Sequence, residues 1–180
     1  ARTERFEEQA TTTDAYWFTI YEKETLRPIG TTDLFDVDFR MRFCTFGLMI
    51  GDADGRGKGY GTEVARLIFG GVFAMAAAFK FAFVGMDATA AQIAGAGFPF
   101  PLLLAWVAAF FEVGLAIAFL TGLFFSEAAI VAAAYVLFLA FSFHGPEKFA
   151  SNPMEFGFFV HHFTFIAGLL VPGVHGPGTA

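Results

Sequence analysis

Five side chains able to carry a proton or a charge stand inside otherwise apolar stretches: Lys80, Glu112, Tyr135, His161 and His162. An ionisable group in a bilayer core costs about 2.5–3.5 kcal/mol on insertion scales, so its presence there points to a site. Glu112 is the sharpest case, because a carboxylate in hydrocarbon has to be paired or protonated. Such a layer suits proton-coupled chemistry or the polar head of a quinone. It could equally be a packing device, in which Lys80 and Glu112 pair and Lys80 snorkels toward the headgroups. A haem or metal role for His161 and His162 is disfavoured. Adjacent residues point about 100° apart on a helix, and no second cluster exists to complete a ligand set. A second concentration of chemistry is the glycine-rich run Arg56-Gly57-Lys58-Gly59-Tyr60-Gly61, followed by Thr62-Glu-Val-Ala-Arg66. A strand, a glycine loop and a helix start make a phosphate cradle, since glycines let backbone N–H groups converge and the helix N-terminus adds partial positive charge.

The elements that must hold these residues are of two kinds. Residues 1–66 contain nine Lys/Arg and twelve Asp/Glu, leaving two and five for residues 67–180. The second part is too poor in charge to wet a soluble surface. The mean hydropathy of the chain is +0.59 and charged residues make up 16%, against about 25% in soluble domains. A boundary is therefore expected near Arg66, dividing a segment 1–66 from a membrane domain 67–180. The single Cys44 excludes an internal disulfide and multi-Cys metal sites, so no metal centre is expected. A net charge of −6 argues against nucleic acid as a partner. Ala1–Asp14 has no apolar core of a cleavable signal peptide, and the chain opens without Met, as a processed chain or one whose true start lies elsewhere would.

About 20 apolar residues cross a bilayer core about 30 Å thick. Leu67–Phe83 is the first expected span, Val84–Pro101 a loop, and Leu102–Phe143 a hairpin of two spans that breaks near Thr121–Ser126. His144–Glu155 reads as a polar loop and Phe156–Val171 as the fourth span, ended by Pro172. A soluble bundle would show a polar face at helical period, and Leu102–Phe143 shows none. The fold expected is a mainly α, four-helix transmembrane bundle behind a small β-rich segment. Four spans and the Lys/Arg of the N-terminal segment place both termini on the cytoplasmic side. With 1.5 Å per residue, Lys80, Glu112, Tyr135 and the two histidines then fall within one layer, about 10–15 Å from the outer face. In the first segment, Tyr16–Thr25, Ile29–Phe35 and Arg42–Ile50 read as strands.

Two family resemblances follow. Arg66-Leu-Ile-Phe-Gly-Gly-Val-Phe, Lys80 late in the first span, Pro101-Leu-Leu-Leu-Ala-Trp-Val-Ala-Ala-Phe-Phe-Glu112-Val-Gly, Leu120-Thr-Gly-Leu-Phe and the His-bearing fourth span resemble the DoxX family over residues 66–176. The resemblance implies a four-helix bacterial membrane protein, some of whose relatives are linked to thiol or quinone redox chemistry, and carries over no catalytic residue. Arg56–Gly61 resembles the R/Q-x-x-G-x-G acyl-CoA loop of GNAT acetyltransferases. Ile29-Gly30, Asp36-Val-Asp38 and Gly47-Leu-Met-Ile-Gly-Asp52 look like the middle strands of that fold. That resemblance implies that Arg56, Gly57, Lys58, Gly59, Tyr60 and Gly61 hold the pyrophosphate of acetyl-CoA. It runs only over residues 14–66 and lacks the strands that complete the cleft, so the segment is expected to be half an acetyltransferase. Three functions are consistent with these residues: an accessory or redox-associated membrane subunit, with quinone as possible cofactor and the lipid bilayer and other membrane subunits as partners; a membrane-tethered, acetyl-CoA-dependent N-acetyltransferase; and a purely structural subunit.

Overall fold

The computed structural model describes residues 15–38, 43–51 and 58–175. They form two compact units, the chain passing from one to the other between Gly61 and Thr62. The expected boundary residues, Arg66 and Leu67, lie inside a helix.

The first unit is a three-stranded antiparallel sheet of β1 (Tyr16–Tyr21), β2 (Pro28–Asp38) and β3 (Phe43–Ile50), with β2 in the middle. Thr32 sits between Phe18 and Leu48 in the register, and its hydroxyl donates to the Gly47 carbonyl at 2.9 Å. β1 ends at Tyr21, four residues before the expected Thr25. The reason is a turn that starts earlier: the Leu26 N–H donates to the Glu22 carbonyl at 2.8 Å, and the Glu22 N–H to the Arg27 carbonyl at 2.9 Å. β2 starts at Pro28 and outruns Phe35 by three residues, and β3 begins at Phe43, Arg42 lying outside the described residues. Trp17 and Phe18, neighbours on β1 and so on opposite faces, are 47% and 54% exposed, so neither face of the sheet carries a closed core at β1.

The second unit is helical. The helices are α1 (Tyr60–Ala78, prolonged by a π-helical turn Phe79–Val84), α2 (Met86–Gly95), α3 (Pro101–Thr121), α4 (Phe125–His144) and α5 (Pro153–His175). Four segments, Tyr60–Val84, Pro101–Thr121, Phe125–Lys148 and Pro153–Val171, are long and apolar enough to cross a membrane. The hairpin breaks where expected, between Thr121 and Phe125. Gly122 takes φ +75° and returns its N–H to the Phe119 carbonyl, the αL ending that glycine alone adopts without strain. Pro101 opens α3 at a position where its missing N–H costs nothing.

The helix expected from Thr62 starts two residues earlier, at Tyr60, and runs on into the first span, Glu63 and Arg66 being good helix formers whatever their hydropathy. Three expectations need correction. The Val84–Pro101 loop contains α2, which buries Thr89, Ala90 and Ile93 along one face at helical spacing. The loop after α4 is shorter than His144–Glu155: His144 ends α4, Pro146–Lys148 make a 3-10 turn, and α5 begins at Pro153. Finally, α5 continues through Pro172 to His175, since a proline removes one rung of the ladder without ending the helix.

Phe119 is fully buried where the helices meet. Its ring lies 5.8 Å from both Phe69 and Phe73 of α1 and 5.7 Å from Phe125 of α4, and Phe165 of α5 stands 5.2 Å from Phe69. On α4 the buried positions are mostly alanine (Ala128, Ala129, Ala132, Ala133 and Ala140), small side chains that let helices approach closely in a bilayer. Arg66 closes the C-terminal end of α3: its guanidinium donates to the Phe119 and Leu120 carbonyls at 3.2 Å each, a cation on orphan carbonyls at the negative end of a helix. Replacing Phe119 by Ala should open a void between the helices. In lipid the water-transfer part of the usual about 3–5 kcal/mol is missing, so a loss at or below the low end is expected. Thermal unfolding in detergent reads it; an unchanged midpoint would contradict this packing.

Candidate functional site

The buried face of α3 runs Ala105, Ala109, Glu112, Ala116, Phe119, a helical stripe on which Glu112 takes an inward position. Its side chain is 4% exposed. Lys80 reaches it from the π-helical turn after α1, a local widening often found at functional sites. The Lys80 ammonium donates to both Glu112 oxygens, at 2.8 Å to Oε1 and 2.7 Å to Oε2. The Tyr135 hydroxyl, from α4, donates to Oε1 at 2.9 Å. Phe111 stands edge-on to the Tyr135 ring at 5.0 Å and fixes its position. Glu112 therefore accepts three of about four hydrogen bonds open to a carboxylate. Lys80 keeps a third N–H beyond the two spent on Glu112, and the Tyr135 oxygen keeps its acceptor capacity.

The triad lines a cavity of about 770 Å³, together with Thr89 and Gln92 of α2 and the two imidazoles of His144 and His162. That volume is in the range of small-molecule sites, about 300–1,000 Å³. Phe98, Phe111, Phe138 and Phe143 supply the aromatic part of its wall. Of the layer read from the sequence, Lys80, Glu112 and Tyr135 are in direct contact, and His162 lines the same cavity. His161, one position round the helix, is exposed and is not among the cavity residues. Gln92, Thr89, His144 and Glu155 were missed. Ala90 and Ile93, three apart, were the signal for α2. The signal for His144 and Glu155 was a Gly-Pro turn between two apolar helices, which brings their ends together. Among the described residues, no group of three or more His, Cys, Asp or Glu could hold a metal ion.

In the first unit, Arg56 and Gly57 lie outside the described residues. Gly59 takes φ +82°, and Tyr60 and Gly61 belong to the first turn of α1 instead of to the loop. The Tyr60 hydroxyl donates to Glu22 Oε1 at 2.7 Å, Thr25 donates to Oε2 at 2.6 Å, and the Lys58 ammonium stands 3.6 Å away. The Glu22 carboxylate is thus the group on which Tyr60, Thr25 and Lys58 converge.

Two predictions follow from these contacts. Glu112→Ala leaves the Lys80 ammonium and the Tyr135 hydroxyl without their acceptor. A loss of about 3–5 kcal/mol is expected where a buried pair loses one partner. Lys80→Ala should cost less, because the Lys80 side chain is 23% exposed and Tyr135 still holds the carboxylate. Detergent unfolding of both variants checks the order, and equal losses would contradict it. For Glu22, the hydrogen bonds from Thr25 and then Tyr60 hold the carboxyl at about 2, below its ordinary 4.5. A depressed carboxyl contributes stability above the unfolded value and loses it as pH falls, so this contribution fades from pH 4.5 to about 2. Carbon NMR of the Glu22 carboxyl should titrate near the lower value, and Thr25→Ala with Tyr60→Phe should bring the midpoint up; a wild-type midpoint at the ordinary value would contradict the contacts.

Comparison with curated proteins and with solved structures gave no match. Two family models do match: one described as DoxX over residues 61–145, the other as an acetyltransferase (GNAT) domain over residues 1–94. They share residues 61–94, where the chain is helical throughout α1, its π turn and α2, and among the described residues no strand follows β3. Through residues 1–94, more than half of its length, the chain belongs to the acetyltransferase (GNAT) domain family; residues 61–145 match the DoxX model, and four helices of the chain are long and apolar enough to cross a membrane.

Proposed function

We propose that the chain is a redox-associated subunit of a bacterial inner membrane and that its helical cavity receives the head group of a quinone. The observation that carries this reading is the Lys80–Glu112–Tyr135 triad lining an aromatic-walled cavity of about 770 Å³. A quinone ring is flat and apolar with a carbonyl at each end. The ring suits Phe98, Phe111 and Phe138, and one carbonyl suits the third N–H of Lys80. Reduction adds a proton to each oxygen, and Glu112 and Tyr135 are the groups at hand to pass protons. Both termini lie on the cytoplasmic side in this reading, which turns α2 and the His144 end of the bundle outward. Other membrane subunits would supply or take the electrons.

The test is saturable binding of a short-tailed benzoquinone to the purified chain in lipid nanodiscs. Wild type should bind. Glu112→Gln, which keeps the shape and one acceptor, should fold and bind at least about tenfold more weakly, as loss of about 1.4 kcal/mol gives. No saturable binding, or binding indifferent to Glu112→Gln, would remove the reading.

A second reading has its own support, the acetyltransferase match over residues 1–94 and the turn at Gly59 that leads into a helix N-terminus. In it the first unit is a membrane-tethered N-acetyltransferase domain that binds acetyl-CoA through Arg56–Gly61. Acetyl-CoA binding that weakens on Gly59→Asp, a side chain forced into φ +82°, would favour it. A purely structural subunit would bind neither ligand and would purify with partner chains.

A further inference from the structure

His144 ends α4 and His162 lies nine residues into α5, yet their rings are neighbours, with centroids 5.2 Å apart and planes tilted by 42°. Each ring has its Nδ1 committed. His162 Nδ1 faces the Phe158 carbonyl at 2.7 Å. A carbonyl only accepts, so that nitrogen carries the proton and donates it. His144 Nδ1 faces Glu155 Oε2 at 2.5 Å, and an ionised carboxylate likewise only accepts. In the neutral form of each ring, the remaining nitrogen, Nε2, therefore holds a lone pair. Both residues line the cavity.

Ligand histidines hold their second nitrogen in the same way. One N–H is tied to a carboxylate or a backbone carbonyl, which fixes the tautomer, orients the ring and raises its basicity. The spacing agrees: two imidazoles on one tetrahedral ion, with metal–nitrogen bonds of about 2.0–2.1 Å, have centroids about 5 Å apart. We propose that His144 and His162 bind a divalent transition metal of the Zn²⁺ or Cu²⁺ class through their Nε2 atoms, with Glu155 and the Phe158 carbonyl as the groups that position the rings. Imidazole nitrogen suits those ions, whereas Mg²⁺ and Ca²⁺ take oxygen. Two protein ligands leave the remaining positions of the ion to water or to a ligand in the cavity, one more than the single open position of a three-ligand catalytic centre. The inference does not rest on quinone binding. The competing use of the same residues is a His144–Glu155 ion pair with aromatic packing against the Phe158 ring, 5.3 Å from His144.

The test uses the full chain, without a histidine tag, in nanodiscs and in the absence of quinone. Cu²⁺ titrated in and read by electron paramagnetic resonance should give one ion per chain, with hyperfine structure from two imidazole nitrogens. His162→Ala and His144→Ala should each weaken binding at least about tenfold and lose one nitrogen. Glu155→Gln should keep both nitrogens and weaken binding about tenfold, the usual effect of a lost orienting partner. His161→Ala, exposed and outside the cavity, should leave binding unchanged. If His144→Ala does not fold, the decision falls to His162→Ala, Glu155→Gln and the rise in melting temperature with Zn²⁺, which wild type should show and His162→Ala should not. Binding that is indifferent to His162→Ala, or equally weakened by His161→Ala, would overturn the proposal and leave the ion pair.

Discussion

A carboxylate in the middle of an apolar helix is the constraint on which the helical unit depends. Glu112 cannot face lipid in its charged form, and its desolvation is offset only if donors surround it. Three elements are fixed by that need: the π turn that brings in Lys80, the rotation of α3 that buries Glu112, and the rotation of α4 that aims Tyr135. Buried ion pairs are poor sources of net stability, since an apolar triad of the same shape would often do as well. What Glu112 contributes is specificity, because only one mutual rotation of the helices satisfies it. The cavity is a consequence. Polar groups that must converge on one carboxylate leave room above it that side chains do not fill, and α2 roofs part of that room with Thr89 and Gln92.

At the other end of α3 the same bundle is closed by a different device. Arg66 covers the last carbonyls of the helix, Gly122 makes the reversal, and Phe119 fills the space where α1, α3 and α4 converge. One end of the unit is thus packed solid with Phe rings and alanines, and the polar end holds the cavity. A membrane protein has no hydrophobic drive between helices, so tight packing at one end is what allows the other to stay open.

The spans and the layer were legible because charge in an apolar run is conspicuous: Lys80 and Glu112 stand alone in their stretches, and 1.5 Å per residue put them near one depth. Facing was less legible. Depth placed His161 and His162 together, while the helix sends only His162 to the cavity. α2 was hidden by its own composition, since Asp87, Gln92 and the glycines around it read as a loop, although Ala90 and Ile93 supply a buried face. His144 and Glu155 were hidden for another reason. The Gly-Pro turn brings the ends of α4 and α5 together, but which faces meet depends on how the two helices turn against each other. In the first unit the glycine run and the strand order were visible. The helix start after that run was visible too, within two residues, because Glu63 and Arg66 are helix formers by propensity.

The central claim is that Glu112, which accepts hydrogen bonds from Lys80 and Tyr135, stands where the proposed ligand head group would bind. Infrared difference spectroscopy on protein whose glutamate side chains carry ¹³C measures this directly. Addition of a short-tailed benzoquinone should shift one labelled carboxylate stretch, and the shifted band should be missing from Glu112→Gln. Identical difference spectra from wild type and Glu112→Gln would contradict the account.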